Sequence, residues 1–146
     1  MSRREKAELA REKRRTREAV QKSFDIGTQI AKDNDESGRR LEKAKVSRNS
    51  VPTDEGRTKY EGLLWEIAAI QKEVRAAIWV EREEEERLIK AIAETSGSDV
   101  VRLIELHQQL RELETREIEI HKPRLREVSS RYRNAVMVFE DFVYTN

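Results

Sequence analysis

The 146-residue chain has no cysteine, two prolines and five glycines, and aromatic residues make up only 5% of it. Without thiols it has no disulfide framework, no thiolate metal site and no cysteine nucleophile. Its few glycines form neither a phosphate-cradling loop nor a nucleophile elbow. No apolar run approaches the ~20 residues that span a bilayer, and Met1-Ser2-Arg3-Arg4 lacks the apolar stretch of a signal peptide. The chain therefore reads as intracellular, most simply cytoplasmic, with a virion component as one such setting.

Charge is what the sequence has in abundance. Charged residues account for 40% and hydrophobic ones for 36%, against about 25% and 45–50% in ordinary globular domains. Such a chain cannot close a thick core, but it can bury narrow apolar seams between long helices.

Breaker residues cluster twice, at Arg48-Asn49-Ser50-Val51-Pro52-Thr53-Asp54 and at Thr95-Ser96-Gly97-Ser98-Asp99. Proline cannot continue a helix, and a glycine among small polar residues suits a helix stop followed by a new cap. The breaks leave segments of roughly 2–47, 54–95 and 99–143, each about 60–70 Å long if helical. Ser2 and Glu5 have the form of a capping box, Thr53 or Asp54 can cap the second segment, and Ser98 or Asp99 the third. The expectation is an all-α fold. It takes the form of an elongated antiparallel hairpin of the second and third segments (residues 51–146), or a bundle of three long helices with residues 1–50 as a basic, weakly apolar arm.

Apolar spacing supports the hairpin. Tyr60, Leu64, Ile67, Val74 and Ile78 recur at helical intervals, widened by Leu63, Ile70 and Ala77. Leu103, Leu106, Leu110, Leu113 and Ile120 follow a heptad, with Glu117 at one seam position; the stripe resumes as Leu125, Val128, Tyr132, Ala135, Phe139 and Phe142. The five-residue step from Ile120 to Leu125 predicts a phase change where Pro123 bends the helix. In the first segment, the line Val20, Phe24, Gly27, Ala31, Asn34, Gly38 and Leu41 offers little to bury. Two readings follow: a helix that frays near Asp33–Gly38 and needs a partner, or small residues that admit a neighbouring helix closely.

Residues 1–50 carry 15 basic and 9 acidic groups, residues 51–96 carry 7 and 11, and residues 97–146 carry 8 and 9. The candidate basic patch is Arg3, Arg4, Lys6, Arg11, Lys13, Arg14, Arg15, Arg17 and Lys22. It is either an electrostatic footprint for nucleic acid or a solvated helix that docks on an acidic protein. Interleaved glutamates and the lack of a neighbouring aromatic favour the second reading. Glu81–Arg87 lacks the glycine turn of a calcium loop and reads as a solvated face. His107 and His121 form no metal-binding motif; Glu117 and His121 merely share a helix face. The sequence therefore predicts no enzyme, no catalytic residue, no cofactor and no metal ligand.

The stretch 135–144 is the most apolar and aromatic in the chain. Val136, Phe139, Phe142 and Tyr144, with Trp79, are candidate anchors for a protein partner; the tail alternatively caps the helices internally against Tyr60, Trp65 or the first segment. Residues 25–41 (Asp25-Ile26-Gly27 through Asn34-Asp35-Glu36-Ser37-Gly38-Arg39-Arg40-Leu41) faintly resemble the middle of a glutamine-type SNARE helix. Ser37 stands where that family carries its central Gln and Asn34 where it has a hydrophobic layer, so the family's membrane-trafficking role stays an alternative. The favoured expectation is a non-catalytic coiled-coil scaffold or adaptor in a homo-oligomer or hetero-complex. Nucleic-acid association through the basic helix is the other alternative.

Overall fold

The computed structural model describes residues 2–47 and 53–145. It is all-α, with no strand among the described residues. The elements are α1 (Arg3–Val46), α2 (Asp54–Ile78), α3 (Arg82–Glu94), α4 (Val100–Arg116), a single π turn (Glu117–His121) and α5 (Lys122–Thr145). Most of the first expected break, residues 48–52, lies outside the described residues.

The expected caps are in place. The Glu5 amide donates to Ser2 Oγ at 3.1 Å, the Gly56 amide to Thr53 Oγ1 at 3.0 Å and the Arg102 amide to Asp99 Oδ1 at 3.3 Å. Each satisfies one of the amides that a helix start leaves without an intrahelical acceptor.

Two features depart from the expected helices. The segment 54–95 is interrupted at Trp79-Val80-Glu81, where Glu81 takes a left-handed backbone (φ 55°, ψ 15°) without being glycine. The phase change near Pro123 is made by the π turn, one extra residue in one turn, rather than by a break at the proline. From buried Glu117 to buried Leu125 is eight residues instead of a heptad's seven, and Ile120, expected on the seam, is 57% exposed.

Helix α1 runs unbroken through Asp33–Gly38. Its buried row is Leu9, Thr16, Ser23, Ile30, Ser37 and Ala44, a strict seven-residue repeat, flanked by buried Glu12 and Leu41. The Val20–Leu41 line therefore lies at the margin of the seam, and Phe24 on it is 66% exposed. Hydroxyl and methyl side chains fill most of the row, so neighbours approach closely. A Cβ built on Gly38 would lie 3.6 Å from Tyr132 Oη.

The chain divides into two compact units. The first combines Met1–Gly27 with Trp79–Pro123. Leu88, Leu106, Leu110 and Leu113 form one buried cluster there, with Val20, Ala91 and Ile92 against it; Leu9, Val100 and Leu103 form another. Thr16 Oγ1 lies 2.9 Å from the carbonyl of Glu12 and 3.2 Å from that of His107, which joins α1 to α4. The second unit combines Thr28–Ile78 with Arg124–Asn146. Its buried residues include Ile30, Leu41, Ile67, Ile70, Val74, Leu125, Val128, Tyr132, Val136 and Phe139. Polar contacts at its margin are Arg40–Glu140 at 2.7 Å, Arg131–Glu73 at 2.9 Å and Gln71 Nε2 donating to Tyr132 Oη at 3.2 Å.

Candidate functional site

The basic helix is the first candidate. All nine cations predicted from the sequence are exposed, and none makes an ion pair among the described residues. At about 100° per residue, they fall into an ordered pattern on the solvent side of α1, with Lys13 nearest the packed side, one turn from Leu9 and near His107 of α4. Lys6, Lys13 and Arg17 form one flank, which continues to exposed Phe24. Arg4, Arg11, Arg15 and Lys22 form the other. Between them runs a ridge of Arg3, Ala7, Ala10, Arg14, Glu18 and Gln21, all exposed.

The glutamates dilute this face less than the sequence suggests. Glu12 is buried, 5% exposed, and bound by Arg111 of α4; Glu8 is half-buried, and Glu5 lies on the seam side at the helix start. Over residues 3–22 Glu18 remains among the outward cations, and Glu8, one turn from Arg4 and Arg11, borders their flank. An aromatic does accompany them: Phe24 lies on the Lys6–Lys13–Arg17 flank.

A second concentration of charge surrounds the π turn. Arg116 donates to Glu81 at 3.1 Å, and His121 Nε2 lies 2.9 Å from the same carboxylate. Glu117 meets Lys122 at 3.6 Å. Hydrogen bonds from Arg116 and His121 hold the Glu81 carboxyl below its usual range, whereas burial pushes Glu117 upward. Glu114, one turn earlier, is 2% exposed; burial raises its pKa to about 7, with the Glu85 charge adding to the effect and the Ser23 hydroxyl opposing it. Glu81, Glu117 and His121 place their ligand-type atoms within 4.8 Å of one another, a convergence that the sequence does not reveal for Glu81. Arg116 and Lys122 already balance both carboxylates, so the arrangement is an ion-pair network that pins the left-handed turn at Glu81.

The predicted aromatic anchors separate into two groups. Val136 and Phe139 are 1% and 0% exposed, and Phe139 packs on Tyr60 with ring centroids 5.2 Å apart. These two are internal to the second unit, as the capping alternative supposes. Phe142 is half-buried with Lys59 Nζ 5.3 Å from its ring, Tyr144 is half-exposed, and Trp79 lies under the Arg82 guanidinium at 4.1 Å. Trp65, expected only as packing for the tail, is the most exposed aromatic, at 79%. On α2 it points away from Ile67, Ile70 and Val74, on a face shared with exposed Ala68, Ala69, Lys72 and Ala76.

No helix among the described residues is long and apolar enough to cross a membrane. Comparison with family models, with curated proteins and with solved structures finds no match.

Proposed function

We propose that the protein is a non-catalytic structural or adaptor subunit that works by helix–helix association with other protein chains, copies of itself or different subunits. The observation that carries this reading is the outward face of α2. A tryptophan left 79% exposed among alanines combines a large apolar side chain with a smooth surface that a second helix can approach. Aromatic side chains of this size bury roughly 150–250 Å², and tryptophan dominates the hot spots of protein interfaces. Charge on that face is sparse and of both signs: Glu61 lies one turn before Trp65, Lys72 two turns after it, and Arg75 at its edge.

The test is the assembly state of the full chain by sedimentation and cross-linking, for the purified protein and in extracts of its native source, with Trp65→Ala alongside. The reading expects a complex heavier than the monomer that Trp65→Ala disperses while helicity is unchanged. A monomer in both settings, or a complex indifferent to Trp65→Ala, contradicts it.

A further inference from the structure

We infer that the outward face of α1, residues 3–24, is a docking surface for double-helical DNA, with the helix seated in the major groove. This goes beyond protein association, uses a different helix and does not depend on it.

Lys6, Lys13 and Arg17 lie on one side of the ridge, and Arg4, Arg11, Arg15 and Lys22 on the other. A helix with its side chains is about 10–12 Å across and the B-form major groove about 12 Å wide. Seated there, each flank faces a different phosphate backbone, and a surface with negative charge on both sides is what two opposed cationic rows match. From Arg4 to Lys22 the flank runs about 27 Å, long enough to follow the groove. The ridge facing the base edges is slender for much of its length, because Ala7 and Ala10 lie between Arg3 and Arg14.

Availability is the second point. None of the nine cations makes an ion pair among the described residues, although Lys13 lies near His107, and the Glu12 carboxylate, which would otherwise weaken the field, is drawn inward by Arg111. Six of the nine are arginine, whose planar fork suits phosphate oxygens. The seam row Leu9, Thr16 and Ser23 holds the helix from behind, so the face is presented on a packed scaffold.

The competing anions fit less well. An interfacial membrane helix needs a broad apolar face, and this one offers Phe24 alone. Duplex RNA has a deep, narrow major groove that excludes a helix. An acidic protein would need a cleft with carboxylates on both walls to meet both flanks at once.

The experiment is fluorescence anisotropy of the full chain with a mixed-sequence 25-base-pair DNA across a salt series, compared with duplex RNA and with poly-glutamate. About six phosphate contacts predict a loss of roughly 10³-fold in affinity between 50 and 200 mM salt. Lys13→Ala/Arg17→Ala and Arg11→Ala/Arg15→Ala are each expected to flatten the log–log salt slope by about 2. These side chains are exposed and unpaired, and circular dichroism checks that helicity is kept. Weaker binding to RNA by tenfold or more supports groove seating. Absence of DNA binding at 50 mM salt overturns the proposal, as does preference for poly-glutamate, equal affinity for RNA, or sensitivity to one flank only.

Discussion

Arg111 of α4 donates to the carboxylate of Glu12 on α1, joining residues 99 positions apart while the Glu12 side chain keeps only 7% of its exposure. The pair fixes how α1 is rotated. It keeps a carboxylate on the seam and leaves the opposite face to the cations. Removing one partner strands a buried charge, a loss that is moderated here because Arg111 is still 28% exposed. Arg111→Ala is expected to lower the stability of the chain by about 2–3 kcal/mol, measured by urea unfolding. Glu12→Gln should cost less, since it leaves no buried ion behind.

The first unit buries two groups whose titrations pull stability in opposite directions. Burial raises the Glu114 carboxyl from 4.5 to about 7, and the groups around it are Glu85, Ser23, Glu117 and Lys122. Between those two values the folded chain keeps a proton that the unfolded chain has released, so this contribution to stability falls as pH rises through 7. Burial lowers His107, with Lys13 adding to the effect and Glu12 opposing it. Its contribution therefore falls as pH drops below 6.5, where the unfolded chain takes up a proton that the buried ring resists. In urea titrations at pH 5.5 and 8.5, Glu114→Gln should remove a loss on the order of 2 kcal/mol that the parent chain shows as pH rises. An unchanged pH profile in that variant would refute the assignment.

The π turn makes a prediction about deletions. Removing Ile120, one exposed residue of the turn, converts eight residues between Glu117 and Leu125 into seven. The buried positions before and after it then fall in one heptad phase. The deletion should leave a cooperatively unfolding, fully helical protein. Removing Gln109, also exposed but inside α4, rotates Leu103 and Leu106 by about 100° against Leu110 and Leu113. That variant should lose cooperative thermal unfolding.

The tail should divide in the same way. Phe139 is fully buried against Tyr60, and Phe139→Ala is expected to cost about 3–5 kcal/mol. Tyr144 is half-exposed, and Tyr144→Ala should change stability by no more than about 0.5 kcal/mol. Chemical denaturation of the two variants side by side reads the difference directly.

Helices, stops and caps were legible wherever a residue type carries the signal by itself: Gly97 at a stop, and Ser2, Thr53 and Asp99 as caps. The turn at Trp79-Val80-Glu81 was not. It contains neither glycine nor proline, and its left-handed residue is held by Arg116 and His121, 35 and 40 positions away. The seam of α1 was misplaced by its polarity. Thr16, Ser23 and Ser37 look like surface residues, yet small hydroxyl side chains fit where helices approach closely, and Thr16 returns its hydroxyl to backbone carbonyls. Anchoring the periodicity on Leu9 and Ile30 would have turned Phe24 outward and Glu12 inward. The basic residues were identifiable as a cluster from sequence alone; their division into two flanks depended on that rotation.

Helix α1 turns its hydroxyl row toward its own chain and its cations toward solvent. Because the protein has no native cysteine, thiol labelling of single-cysteine variants measures this without interference. Ser23→Cys and Ser37→Cys should react far more slowly than Lys22→Cys and Glu36→Cys, at concentrations low enough that the chains are monomeric. Equal and rapid labelling at all four positions would mean that α1 does not pack on its own chain.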